Sequence, residues 1–276
     1  MAHDPDAPPI YELEDVWKSF DGRPVLKGID LKIPTGQTLV VMGPSGCGKS
    51  VMLKHLVGLL KPDRGHIRFH GEAIEDFDER RLVPIRRRIG FLFQQAALFD
   101  SLNVRENLAF PLLETGQAGP NLDQRIRECL ARVGLEDTME QMPSELSGGM
   151  RKRVGLARAI VLEPELVLYD EPTTGLDPIR ANVINNLIVR LQRDLAITSV
   201  VVTHDLDSAF QVADRMVLLH EGQVRIEGTP QELRESEDPV LRSFLEGRAF
   251  DDADMVAPHA DTLGTGKTPN HGTVSP

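Results

Sequence analysis

The segment Gly43-Pro44-Ser45-Gly46-Cys47-Gly48-Lys49-Ser50 constrains this chain more than any other. It satisfies the spacing G-x-x-x-x-G-K-[ST] in full. An apolar run, TLVVM, precedes it and an apolar run at helical spacing, SVMLKHLVGLL, follows, which is the context the spacing requires. Its glycines let the backbone curl until successive N–H groups face one concavity, and a helix N-terminus adds partial positive charge there. The segment therefore predicts a phosphate cradle. Lys49 is placed to reach β- and γ-phosphates, and the Ser50 hydroxyl to ligate Mg²⁺. Cys47 occupies a wild-card position. It reads either as a small packing residue or as a thiol near a helix N-terminus, alkylatable and shielded by nucleotide.

The rest of the chain alternates strand and helix patterns. YELEDVW, VLKGIDLKI and QTLVVM read as strands separated by turns at Asp21-Gly22 and Pro34-Thr35-Gly36. HIRFH and RIGFLFQ are short strands. From about 96 to 162 the period becomes helical in NVRENLAFPLL, DQRIRECLARVGL and GGMRKRVGLARAIVL, which predicts a helical subdomain inserted into the sheet domain. LVLYD and TSVVVTH are buried strands, with helix PIRANVINNLIVRLQRDL between them. Helix DLDSAFQVAD, hairpin MVLLHEGQVRIEG and short helix PQELRE complete a parallel α/β sheet domain. The expected organisation is a flexible arm over 1–9, the main domain over 10–235, a helical extension over 236–248 and a disordered tail over 249–276.

A second acidic motif closes the strand LVLYD. Asp170 and Glu171 fall at its carboxyl end, the end that faces ligand in open α/β sheets. Alone, DEP reads as an acidic turn. Paired with the cradle, Asp170 is expected to hold Mg²⁺ directly or through water, and Glu171 to polarise an attacking water. His204 ends TSVVVTH, and Gln94 stands at the end of RIGFLFQ. Each reads either as a structural polar residue or as a contact to the γ-phosphate, metal or water. Ser147, Gly148 and Gly149 open the helix GGMRKRVGLARAI and form a second anion-seeking loop.

Charge narrows the function classes. The 42 acidic residues outnumber 31 basic ones for a net charge of −11, so a nucleic-acid binder is disfavoured despite the clusters Arg86–Arg88 and Arg151–Arg153. Two cysteines suit a reducing compartment. No basic, apolar leader opens the sequence, and no run approaches the roughly 20 apolar residues that span a bilayer. Any membrane work is expected to use another chain for the spanning part.

The order GPSGCGKS, Gln94, LSGG, LVLYDE, GLD and His204 resembles the ATP-binding subunits of ABC transporters over residues 10 to 235. The resemblance implies a P-loop (RecA-like) parallel sheet core with an antiparallel β subdomain and an inserted helical signature subdomain. It implies ATP and Mg²⁺ as ligands. It also implies a homodimer in which Ser147 to Gly149 of one protomer bind the γ-phosphate held by the other. Gln94 would touch nucleotide, metal and permease, Asp177 would lie at the dimer interface, and His204 would be the switch histidine. Phe20 would stack on adenine, with Trp17 and Tyr11 as rivals. The signature departs from the usual LSGGQ at Met150, so this chain lacks the side chain that glutamine supplies.

LSGGM, ALFDSLNVRENLAFPL, TTGLDPIRANVINNLI and EDPVLRSFLEG further resemble the Mla branch, which moves phospholipid between bacterial membranes. That resemblance implies a membrane permease, an MCE-domain substrate-binding protein and, in some relatives, a STAS-domain protein, with this chain on the cytoplasmic face of the inner membrane. The alternative within transport is an importer of amino acids or other small polar solutes. Outside transport it is a soluble ABC ATPase acting on ribosomes or DNA, which usually carries two such domains or a long coiled-coil insertion. A P-loop kinase or GTPase leaves LSGG unexplained.

Overall fold

The computed structural model describes residues 8–248. The expected arm over 1–9 therefore lies outside the described residues except at its last two positions, and the expected tail over 249–276 lies wholly outside them. In chain order the elements are β1 (Tyr11–Phe20), β2 (Arg23–Ile33), β3 (Thr38–Met42), α1 (Lys49–Leu56), β4 (Arg64–Phe69), β5 (Glu72–Ala73) and α2 (Glu79–Arg86). Next come β6 (Ile89–Leu92), α3 (Val104–Glu114), α4 (Leu122–Arg132) and α5 (Gly148–Ile160). The chain continues through β7 (Leu166–Asp170), α6 (Pro178–Leu195), β8 (Thr198–Thr203), α7 (Leu206–Val212), β9 (Arg215–His220), β10 (Gln223–Gly228), α8 (Pro230–Glu235) and α9 (Pro239–Leu245).

Two sheets result. β2-β1-β4-β5 is antiparallel, and β10-β9-β3-β8-β7-β6 is parallel except for the β10 edge. Strands β3, β7, β8 and β9 of the large sheet are buried on both faces, as their unbroken apolar runs require, whereas the edge strand β10 is half exposed. Alternation sorts each strand's side chains. Leu39 and Val41 of β3 pack with α1, α2 and the antiparallel sheet, while Val40 and Met42 pack with α3 to α7. The mixed sheet, the antiparallel sheet and the helices match the expected architecture.

Helix starts follow local chemistry. Asn103 and Glu106 form a capping box on α3, Ser147 caps α5, Asp177 caps α6 ahead of Pro178, and Asp205 caps α7. Two elements differ from expectation. The helix after the cradle stops at Leu56 rather than running through Leu60, because Gly58 turns left-handed at φ 64° and the Leu59 N–H folds back to the Lys54 carbonyl at 2.9 Å. α2 was not anticipated. Its sequence ERRLVPIR contains Pro84 and buries only Leu82 and Ile85.

Candidate nucleotide-binding site

The parallel register sets the site. Met42 lies opposite Thr203, and Asp170 lies opposite Val202, so the residues that follow emerge side by side at the carboxyl edge. Neighbouring strands stand about 4.8 Å apart, which keeps the three strand ends within reach of one small ligand. There Ser45, Gly46, Gly48, Lys49, Ser50, Gln94, Asp170, Glu171 and His204 line one open cleft of ≈ 330 Å³. Gly43, Pro44 and Cys47 belong to the same loop but do not line the cleft. Lys49 is 8% exposed, and its ammonium donates to the carbonyls of Gly43 at 2.7 Å and Pro44 at 2.9 Å.

The Ser50 hydroxyl donates to Asp170 Oδ1 at 3.1 Å. Burial pushes the Asp170 carboxyl above the usual carboxylate range, against the pull of the Ser50 hydrogen bond and of Lys49. These two hard oxygens fit a magnesium ion. Adjacent ligands of an octahedral ion with bonds of about 2.1 Å stand about 3 Å apart, and Mg²⁺ takes its other ligands from phosphate and water. Among the described residues no group of three His, Cys, Asp or Glu side chains forms an all-protein metal cage.

Glu171 is held in detail. Its N–H donates to the Val202 carbonyl at 2.9 Å. Its Oε1 lies 2.9 Å from His204 Nδ1, and its Oε2 accepts from the hydroxyls of Thr174 at 3.2 Å and Thr203 at 3.4 Å. Its backbone is left-handed, φ 51°, which costs roughly 1–3 kcal/mol in a residue with a side chain and turns the carboxylate away from the line of the strand. Thr174 and Thr203 escaped the sequence reading. The available signal was a hydroxyl residue at the carboxyl end of an otherwise apolar strand, in TSVVVTH, and a second one three positions beyond Glu171.

Several expected residues lie elsewhere. Phe20, 41% exposed at the end of β1, does not line the cleft, and neither do Ser147, Gly148, Gly149 and Asp177. Of the rivals to Phe20, Tyr11 is fully buried, and its hydroxyl donates to the Leu56 carbonyl at 2.5 Å, so it is unavailable to a base. Trp17 spends its indole N–H on Asp15 at 2.6 Å. Ser147 Oγ accepts the Met150 N–H at 3.3 Å at the start of α5, and a Cβ on Gly149 would lie 3.5 Å from the Arg180 side chain. Asp177 pairs with that same Arg180 at 3.3 Å, so the signature and the Asp177 turn adjoin. Of the two readings of Cys47, a small packing residue or an alkylatable thiol shielded by nucleotide, its burial supports the first. Cys47 is 7% exposed and its thiol is pushed up by burial, with Lys49 pulling the other way.

The basic clusters are largely engaged inside the fold. Arg86 donates to the carbonyls of Val57 and Gly58, Arg88 pairs with Glu165 at 2.6 Å, Arg151 donates to the Leu146 carbonyl, and Arg153 to those of Val133 and Gly134. Lys152 is also turned inward, onto the carbonyls of Gln94 and Glu171.

The family model described as "ABC transporter" matches residues 26–174, more than half of the chain. The chain belongs to the ABC transporter family. The cleft described above is its candidate ATP site. This ABC ATPase is 40% identical over 259 residues to the Intermembrane phospholipid transport system ATP-binding protein MlaF of Escherichia coli, covering 92% of this chain and 96% of that one. It is 42% identical over 238 residues to the Probable ribonucleotide transport ATP-binding protein mkl of Mycobacterium tuberculosis, covering 86% of this chain and 66% of that one, just under two thirds. Among solved structures, the dimeric ATP-binding cassette MJ0796 with ADP and Pi is similar at TM-score 0.73 and 35% identity, covering 80% of this chain and 98% of that one. The cbiO1 protein of Clostridium perfringens, part of the transporter complex cbiONQ, matches at TM-score 0.78 and 31% identity over 86% of this chain and 95% of that one.

Proposed function

We propose that this chain is the ATP-hydrolysing subunit of a transporter that moves phospholipid between bacterial inner and outer membranes. The observation that carries the catalytic half is the Glu171 carboxylate, aimed into the ATP cleft and held by His204, Thr174 and Thr203. The lipid half rests on the identity with MlaF over nearly both full lengths. A relative of Arabidopsis thaliana, 41% identical over 263 residues and named for trigalactosyldiacylglycerol, a lipid, supports it.

In this reading the backbone N–H groups of the loop from Gly43 to Ser50 and the Lys49 ammonium bind the phosphates. Mg²⁺ held by Ser50 and Asp170, with Gln94 nearby, neutralises phosphate charge when bound. Glu171 orients the attacking water and takes up its proton, and His204, hydrogen-bonded to Glu171, faces the transferred phosphoryl group. Phe20 serves the adenine. Ser147, Gly148 and Gly149, at the start of α5, complete the site of a second copy, with Asp177 beside them at the dimer interface. Their absence from the cleft of their own chain supports that arrangement. Positioning and charge stabilisation then supply most of the rate, as in phosphoryl transfer generally. The helices within 96–162 form the subdomain that carries the signature.

Among the described residues no helix is long and apolar enough to cross a membrane. An apolar groove lies beside Gln94, lined by Phe91, Phe93, Phe99, Phe110 and Pro111, and three of these phenylalanines are more than 40% exposed. It supports docking of a permease there, on the cytoplasmic face of the inner membrane. An MCE-domain substrate-binding protein and a STAS-domain protein are the further expected partners.

The test has two parts. Glu171→Gln keeps the hydrogen-bonding shape and loses the base, so ATP binding is retained and turnover drops by about 10²–10⁴-fold. Near-normal turnover would remove Glu171 from its role. Separately, the chain is pulled from native membranes in mild detergent. Recovery of a permease, an MCE-domain protein and phospholipid is expected. A permease with a soluble solute-binding protein and no enriched lipid would move the reading to import of small polar solutes.

A further inference from the structure

A buried cation is costly unless hydrogen bonds replace its water. Lys152 is 5% exposed in α5, four residues after Gly148 and so on the same helix face one turn further on. Its ammonium donates to the backbone carbonyl of Gln94 and, at 3.3 Å, to that of Glu171. Burial lowers its pKa, and the carboxylates of Glu171 and Asp170 oppose that shift. Neither contact uses a Gln94 or Glu171 side chain, so both stay available to the cleft. The Glu171 carbonyl belongs to a residue at φ 51°, an uncommon setting for a residue with a Cβ, and a cation on that carbonyl helps fix the peptide in place.

The same helix holds the neighbouring loop a second time. Arg158 donates to the carbonyls of Ala96 at 2.9 Å and Ala97 at 2.8 Å, and both alanines are left-handed, at φ 61° and 47°. Residues 94 to 97 are therefore fastened to α5 through backbone carbonyls at both ends. Lys152 extends this attachment across to Glu171.

We propose that Lys152 is a positioning residue that makes Glu171 answer to the α5 of its own chain. When the N-terminus of α5 engages the phosphate held by a second copy, Lys152 carries the displacement through the Glu171 carbonyl to the carboxylate that orients water. Hydrolysis in one site then depends on what the same chain grips in the other. This inference rests on the dimeric ATPase reading above.

The test separates the two sites. Differently tagged full-length chains are co-expressed, purified through both tags and assayed for single-turnover release of phosphate from labelled ATP. A reference pair combines wild type with Glu171→Gln. In the first test pair one chain carries Lys152→Met and the other Glu171→Gln, so turnover uses the Glu171 beside the altered lysine. In the second, both changes sit in one chain, so turnover uses the Glu171 of the wild-type chain. The first pair is expected to release phosphate about tenfold or more slowly than the reference. The second is expected to stay within about twofold of it, with the ATP dependence of both pairs shifted less than about twofold.

Equal slowing in both pairs, which a merely structural lysine would give, overturns the proposal, as does slowing in neither. A reference pair silent in single turnover overturns it too, because Glu171 would then not serve its own site. Should Lys152→Met not yield a folded dimer, Lys152→Gln, which keeps N–H donors without the charge, goes through the same pairs under the same criteria. A wild-type dimer without ATPase activity removes the underlying reading first, and that result is seen before any variant is compared.

Discussion

Asn107 is fully buried in α3 and makes five hydrogen bonds with its side chain. Its Oδ1 accepts from the Phe99 N–H at 2.9 Å and from Arg158 at 3.3 Å. Its Nδ2 donates to the carbonyls of Phe99 at 3.1 Å and of Leu102 and Asn103 at 3.0 Å. Asn107→Ala removes all five. Two of the carbonyls keep another donor, since Phe99 still accepts from the Leu102 N–H and Asn103 from the N–H of residue 107. The Phe99 N–H and the Leu102 carbonyl lose the partner described for them. At roughly 1–3 kcal/mol for each group left unpaired, less about 0.5 kcal/mol for the better helix propensity of alanine, the net loss is about 1.5–5.5 kcal/mol. For a chain of this size that lowers the melting temperature by about 3–20 °C. Calorimetry reads the shift directly. Asn107→Asp sharpens the test, because it is isosteric but turns a carboxylate toward three carbonyls, and it is expected to destabilise at least as much as alanine. If Asn107→Asp melts within about 2 °C of the parent, the side chain is filling space rather than bonding, and the argument fails.

Two further predictions follow from the same geometry. The folded-state pKa of Asp170 is raised, so its contribution to stability is full at low pH and is lost as pH rises through that value; the ionised carboxylate is a cost near neutrality. Asp170→Asn is therefore expected to melt above the parent at pH 7.5 without Mg-ATP, with the gap closing as pH falls through the carboxylate range and with Mg-ATP no longer adding stability; a variant that melts lower at pH 7.5 would count against it. Gly90 lies where β6 meets α5, and a Cβ there would stand 2.3 Å from the Ala159 carbonyl, a backbone atom with little freedom to move. Gly90→Ala is expected to cost about 1–3 kcal/mol or more by overpacking, and a melting temperature equal to that of the parent would refute the close approach.

The phosphate loop was legible because its chemistry fixes both residue types and spacing, and the strands β3, β7 and β8 because strands buried on both faces leave continuous apolar runs. α2 was not legible. Its charged residues surround the helix, and only Leu82 and Ile85 are buried, too sparse a stripe to read as periodic. The grouping of the site was partly legible. The acids at the end of LVLYD and the histidine at the end of TSVVVTH follow from strand ends, and they do share the cleft with the loop. Their supports do not follow. Thr203 and Lys152 lie 32 and 19 positions from Glu171, and only the parallel register and the packing of α5 bring them near. Reading Arg151 to Arg153 as one basic cluster also concealed that these side chains point to different backbone carbonyls. Phe20 came from the resemblance, and the burial of Tyr11 leaves Phe20 and Trp17 as the rings open to a base.

The strand order bears on how the protein is made. β3, which carries the phosphate loop, pairs on one side with β8 and on the other with β9, the latter through Arg215 to Leu218. A chain growing from the ribosome exposes TLVVM long before either neighbour exists, since β8 begins 160 residues after β3. The antiparallel sheet needs nothing beyond Ala73 and can form early. The nucleotide site is then completed only in the last stage of synthesis. Until that point an apolar strand with two open edges is a hazard for misassociation, and nascent chains halted between residues 43 and 198 are the ones expected to need chaperone protection.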